Sequence, residues 1–216
     1  MTGLRRHALV WLSEAPQADD GRDDGSDGAL AEKWHAGDRP FVVCRRRSEG
    51  SDRDEVSLGF CVVHEKFPEI RPRRVGARTL AAHVVRTAWP PALAEVARCG
   101  PALDHAASFR HLMDEAARAG LDLRVYGSWM WQALTGEGHV RPTSDLDLLL
   151  DVAGPREADE AAAFLARQEA ALSFKLDGEL SFAGRGEVQW REFLTTAPEV
   201  LVKAVDSVRM MRREDL

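Results

Sequence analysis

An α+β fold is predicted by three features of this 216-residue sequence. Short β-type runs crowd the chain up to about residue 80, a proline pair then interrupts it, and the remaining residues mix helical periodicity with alternating strands. The expected organisation is a small β-rich module over residues 1–86, then a mixed sheet flanked by helices over residues 92–216. The length allows one large domain or two small ones. Composition is that of an ordinary soluble protein, 44% hydrophobic and 30% charged. A net charge of −6 speaks against a general nucleic-acid binder, whose domains are usually basic. No apolar run approaches the roughly 18 residues of a membrane helix. Arg5 and Arg6 precede an apolar run of about five residues, shorter than the roughly 7–15 of a secretory signal. The N-terminus therefore reads as the first strand of a cytoplasmic protein without a membrane partner. Cys44, Cys61 and Cys99 are scattered, without CxxC spacing or a neighbouring His cluster. That fits a reducing compartment and thiols that act as small hydrophobes.

Taken in order, residues 7–12 (HALVWL) read as a strand. Residues 16–28 are acidic and Gly-rich with little to bury, which predicts a mobile, solvated loop. A short helix at 29–35 and a turn at 37–40 precede a β-run at 41–47 that ends in Arg45, Arg46 and Arg47. A polar loop over 48–55 leads to a strand at 56–63. Arg71, Arg73 and Arg74 make a second basic cluster. Two arginine-rich strand ends in an acidic protein suit a partner such as a triphosphate or a CoA-type diphosphate, unless they merely pair with nearby acids. Residues 87–91, with Pro90 and Pro91, mark the linker. Helical spacing covers 92–98 and 103–120, with Gly120 as the C-cap of the second helix.

Residues 123–126 form the next strand, which stops at Gly127-Ser128, and a helix-compatible run starts at Trp129. A loop comes next, then a strand over 145–150 (DLDLLL). Alternate strand residues share a face, so Asp145 and Asp147 project together while Leu146 and Leu148 point into the core. Neighbouring carboxylates repel, and a divalent cation relieves that cost. Mg²⁺ fits best, because it takes few carboxylates and fills its shell with water and phosphate oxygens. Gly127 and Ser128, at a helix start, offer backbone N–H groups and a hydroxyl as a seat for phosphate. The two halves describe one site. Gln132, one helical turn past Ser128, and Thr143 and Ser144, next to the acids, are further substrate-binding candidates. Arg141 and Lys203 carry charge suited to phosphate. Trp129 and Trp131 read as core, His105 and His111 have no zinc spacing, and His139 receives no role. Downstream lie a helix over 155–171 with Pro155 in its first turn and a hairpin, 172–182 with 187–192, turning at Gly184 to Gly186. A final helix is expected over 197–212, with Val200, Leu201, Ala204, Val205 and Val208 on one face.

Tyr126-Gly127-Ser128 followed by Asp145-Leu146-Asp147-Leu148 resembles the nucleotidyltransferase superfamily signature: apolar-Gly-Gly/Ser, a spacer, then Asp-apolar-Asp/Glu-apolar. The spacer, residues 129–144, is slightly long for that pattern. The wider string YGSWMWQALTG…SDLDLLLD is similar to the malonate decarboxylase holo-acyl-carrier-protein synthases, also called phosphoribosyl-dephospho-CoA transferases. The likeness is close over the C-terminal half and looser over the N-terminal module, where RHALVWL and RPFVVCRRR carry it. It implies a nucleotidyltransferase-like catalytic half with a third carboxylate on a neighbouring strand. Asp177 is the first candidate for that carboxylate, or for a base that takes the attacking hydroxyl's proton. Glu179 and, more distantly, Glu192 are the others; the ordinary alternative for the hairpin acids is a cross-strand ion pair with Lys175 or Arg191. The resemblance also implies the reaction. The 2′-(5″-phosphoribosyl)-3′-dephospho-CoA group would pass from triphosphoribosyl-dephospho-CoA to a serine of the acyl-carrier subunit of malonate decarboxylase, releasing pyrophosphate. The alternatives are transfer to another protein or a small molecule, or a carrier-protein-binding module without catalysis.

Overall fold

The computed structural model describes residues 4–19, 26–45, 54–64, 66–67 and 70–216. The chain divides into two compact units, residues 1–89 with 205–207 and residues 90–204 with 208–216. Each unit carries a six-stranded sheet, and helices accompany both, so the α+β class predicted from sequence is the one observed.

The first unit contains β1 (Leu9–Leu12), β2 (Gln17–Ala18), α1 (Ser26–Ala36), β3 (Phe41–Val43), β4 (Glu55–Val62), β5 (Arg73–Leu80) and β6 (Val84–Ala88). Its strands run antiparallel in the order β2-β5-β4-β3-β1-β6. Aromatic and β-branched residues alternate along them, as half-buried strands favour. Trp34 of α1 packs its ring 5.1 Å from Phe60, and Phe41, Val43, Leu58, Val75 and Ala77 are buried around them. Several expectations shift here. Gln17 and Ala18 pair with Arg78 and Ala77, and α1 starts at Ser26, so both ends of the segment read as a loop belong to regular elements. Its middle, residues 20–25, lies outside the described residues. The β-run at 41–47 ends at Val43; Arg46, Arg47 and residues 48–53 also lie outside them. Thr87 and Ala88, read as linker, close β6. Cys61 is buried, which pushes its thiol pKa up, while Cys44 and Cys99 are half-buried; all three are free thiols.

The second unit contains α2 (Leu93–Val96), α3 (Gly100–Leu103), α4 (Ala106–Ala119), β7 (Arg124–Tyr126), α5 (Gly127–Thr135), β8 (Leu146–Val152), α6 (Pro155–Glu169), β9 (Leu176–Phe182), β10 (Gly186–Gln189), β11 (Glu199–Lys203) and β12 (Val208–Arg212). Strand order is β12-β11-β10-β9-β8-β7, and β8 with β9 is its parallel pair. A helix between two strands returns the chain to the same end of the sheet, and α6 does this for β8 and β9. Leu146, Leu148, Leu150 and Val152 form one core with Phe109 and Leu112 of α4 and Ala158, Ala161, Ala162 and Leu165 of α6. Each buried leucine contributes about 1.5–3 kcal/mol. The alternate positions of β8, Asp147 and Asp151 among them, take the opposite face. Gly120 caps α4 in the left-handed conformation, as its sequence position predicts.

The expected helix over 197–212 is instead the hairpin β11–β12, in which Val200 pairs with Met211 and Val202 with Arg209. Val200 and Val202 are fully buried while Glu199, Leu201 and Lys203 are not, a period of two rather than 3.6. Four valines between 200 and 208 favour the extended chain, and the edge of β10 supplies the ladder that holds it. The helix read over 103–120 is also broken, with α3 ending at Leu103 and α4 starting at Ala106. Among the described residues no helix is long and apolar enough to cross a membrane.

Candidate active site

Register and one glycine build the site. Asp147, half-buried in β8, pairs with Tyr126 of β7 on one side and with Asp177 of β9 on the other. Because β8 and β9 are parallel and in register, the two carboxylates stand side by side. The chain leaves β7 through extended Tyr126 and enters α5 at Gly127, whose φ is +70°. A Cβ on Gly127 would lie 1.9 Å from Asp147 Oδ2. The start of α5 therefore rests directly against the Asp147 carboxylate, a fit only glycine permits. Ser128 comes next, half-buried, and its hydroxyl has no hydrogen-bond partner among the described residues.

Asp145 is exposed just before β8, where the N–H of Leu146 donates to Lys175 O at 2.8 Å. Arg191 ties Asp145 to the others electrostatically. Its protonated form is stabilised first by hydrogen bonds to Glu169, then by the charges of Glu169, Asp177 and Asp145. The guanidinium donates to Glu169 Oε1 at 2.7 Å and Oε2 at 3.2 Å, and to Leu176 O at 2.9 Å. In turn Arg191 holds the Glu169 carboxyl below its ordinary pKa of 4.5. The pair thus adds stability above that pH and loses it as pH falls through the lower folded-state value. Melting curves of the wild type and Glu169→Gln should differ by a constant amount well above that ordinary value, and the difference should close as the pH falls below it. A gap that widens on acidification would contradict the pairing.

The remaining candidates are committed elsewhere. Glu179, 5% exposed, accepts from Lys203 Nζ at 3.0 Å, so this buried carboxylate has the cation that burial demands. Gln132 Oε1 accepts from the N–H groups of His139 and Val140 at 3.0 and 3.3 Å, pinning the loop between α5 and β8. Ser144 Oγ accepts from the N–H of Arg141 at 3.0 Å and closes the turn before the acids. Glu192 Oε2 accepts from the N–H of Leu201 at the start of the last hairpin. Trp129 and Trp131 are buried, as expected of core residues. His105 bonds Ser173 at 2.7 Å and His111 bonds Gln168 at 2.9 Å.

Two residues of this site escape sequence motifs. Gln189 Nε2 donates to Asp177 Oδ1 at 2.9 Å, and Arg191 supplies a positive charge that feels both Asp177 and Asp145. The hairpin register about Gly184 was the available signal, since it sets Gln189 opposite Glu179, two residues from Asp177.

Among the described residues, no three of His, Cys, Asp and Glu form a metal cage by themselves. Mg²⁺ requires no such cage, being held by one or two carboxylates with water and substrate phosphate oxygens. Asp147, backed by a glycine and in register with Asp177 on β9, offers a pair of carboxylates of that kind.

A family model for the phosphoribosyl-dephospho-CoA transferase MdcG C-terminal domain matches residues 92–214, and one for the N-terminal domain matches residues 5–91. A protein of Bradyrhizobium diazoefficiens named phosphoribosyl-dephospho-CoA transferase is 33% identical over 210 residues, covering 96% of this chain and 90% of its own. One of the same name from Xanthomonas euvesicatoria is 34% identical over 212 residues, covering 98% and 95%. No solved structure matches the chain.

Proposed function

Since the chain belongs to the phosphoribosyl-dephospho-CoA transferase family, and is on that ground a transferase, we propose its donor, its acceptor and its products. The chain moves the 2′-(5″-phosphoribosyl)-3′-dephospho-CoA group from triphosphoribosyl-dephospho-CoA to a serine of the malonate decarboxylase acyl-carrier subunit. The serine hydroxyl gives up its proton to the surrounding water as its oxygen forms a bond to the α-phosphorus, the bond from that phosphorus to the bridging oxygen breaks, and pyrophosphate leaves with the electron pair. The observation that supports this reading is the close approach of Gly127 to Asp147, which sets the N-terminal turn of α5 against a carboxylate.

In this reading Asp145 and Asp147 hold Mg²⁺, and Asp177 is the third carboxylate. A bound Mg²⁺ would neutralise charge developing on the α-phosphate and the departing pyrophosphate. The backbone N–H groups opening α5 and the Ser128 hydroxyl grip the outer phosphates of the donor. Positioning supplies the larger part of such catalysis, because phosphoryl transfer leaves little covalent work to the protein. Gln132, Ser144 and Glu179 support the site rather than touch the donor: Gln132 and Ser144 fix the loop that delivers Asp145, and Glu179, on the same strand as Asp177, neutralises Lys203 of β11.

Incubating the protein with Mg²⁺, labelled triphosphoribosyl-dephospho-CoA and apo carrier protein tests the proposal. The carrier should gain the mass of one prosthetic group on a serine while pyrophosphate accumulates. Label on another protein or a small molecule would replace the acceptor and keep the site. No transfer to any acceptor, with the carrier still bound, would leave only a carrier-binding module.

A further inference from the structure

Asp177 is held by one oxygen only. Its Oδ1 accepts from the N–H of Gly178 at 2.8 Å and from Gln189 Nε2 at 2.9 Å. Its Oδ2 has no hydrogen-bond partner among the described residues. The amide of Gln189 is fixed at its other end as well, since its Oε1 accepts from the N–H of Arg191. One donor and one acceptor on a single amide leave no freedom to flip: turned over, both contacts would fail. The Arg191 side chain then reaches back to the same strand. It donates to Leu176 O, immediately before Asp177, and to Glu169, whose Oε1 accepts from the N–H of Leu176 at 3.1 Å. The peptide groups of Leu176 are thereby clamped on both sides, and a planar arginine fork suits such a bracket.

We infer that Gln189 is the positioning residue of Asp177: it fixes Oδ1, passes that hold to the Arg191–Glu169 bracket, and leaves Oδ2 as the oxygen offered to a divalent cation. The inference rests on the reading of Asp177 as the third carboxylate. A carboxylate with two free oxygens can rotate about its terminal torsion, which is broad and soft. One with a fixed oxygen presents the other in a set direction, and groups of this supporting kind commonly govern metal affinity by about 10- to 100-fold. Neither Glu169 nor Arg191 replaces Gln189 in this role, because both bond the strand backbone rather than the Asp177 carboxylate.

The test uses the full chain and Mn²⁺ alone, with binding read by the electron paramagnetic resonance of the free ion. Gln189→Ala should raise the Mn²⁺ Kd about tenfold or more, with the melting temperature close to wild type. Gln189→Met, of similar volume but unable to bond either partner, should do the same, so the result survives if the alanine variant folds poorly. In the transfer assay both variants should lower kcat by a comparable factor and leave KM for the carrier unchanged. Asp177→Ala separates the levels. If it weakens Mn²⁺ binding and both Gln189 variants bind within about twofold of wild type, the positioning role is overturned and Asp177 keeps its place. If Asp177→Ala itself binds Mn²⁺ as wild type does, the reading of Asp177 fails and the role of Gln189 falls with it.

Discussion

Asp147→Asn is expected to slow group transfer at least about a thousandfold while the protein stays folded, since it removes charge stabilisation from the phosphoryl centre. The substitution keeps the shape of the side chain and deletes one negative charge. Asp147 stands between Tyr126 and Asp177 in register and against Gly127, so no other carboxylate of the described residues takes its place. The asparagine still fills the same volume beside Gly127, and removing one of two neighbouring acids relieves their repulsion. The melting temperature should therefore hold or rise as activity collapses, the opposing signature of a site whose function costs stability. Mn²⁺ binding should weaken in parallel with turnover. Single-turnover transfer, Mn²⁺ titration and a melting curve on one preparation check all three. Turnover within about tenfold of wild type would remove the carboxylate from the chemistry, and an unfolded variant would remove the argument from repulsion.

The parts of this site that sequence made legible are those fixed by local periodicity and element order. The alternation of DLDLLL places Leu146 and Leu148 in the core and Asp147 on the other face, and the structure buries both leucines completely. A strand, a helix and another strand in succession lead to parallel pairing, and that brings Asp177 beside Asp147. What stayed hidden depends on long-range partners. Glu179 belongs to an ion pair, as an acid on a hairpin ordinarily does, but its partner Lys203 sits on β11, a strand in a segment whose valine spacing also fits a helix. A helix there would carry Lys203 away from the sheet, so the pair is invisible until the strand is known. Gln132 and Ser144 flank the loop before the acids, yet each spends its side-chain oxygen on an N–H of that loop, Ser144 in the local competition typical of short polar groups beside turns. Gln189 matches no motif, because an amide that orients a carboxylate is recognised only by the groups at both of its ends.

Gly127→Ala should disable transfer by two to three orders of magnitude, and Gly136→Ala separates the causes. Both glycines are left-handed, with φ of +70° and +71°. Any L-residue there costs about 1–2 kcal/mol, so each variant should lose at least that much stability. They differ in the atoms that a new methyl group meets. At Gly136 nothing lies within 4 Å, whereas at Gly127 the Cβ falls 1.9 Å from Asp147 Oδ2 and 2.8 Å from its Cγ. Either the carboxylate swings away or the opening turn of α5 retreats, and both responses separate the phosphate seat from the acid. Turnover should therefore survive in Gly136→Ala and be lost in Gly127→Ala even where their melting temperatures agree. Denaturant titrations paired with initial transfer rates make the comparison. Equal activity in the two variants at equal stability would mean that the contact between Gly127 and Asp147 serves the backbone turn alone and contributes nothing to the chemistry.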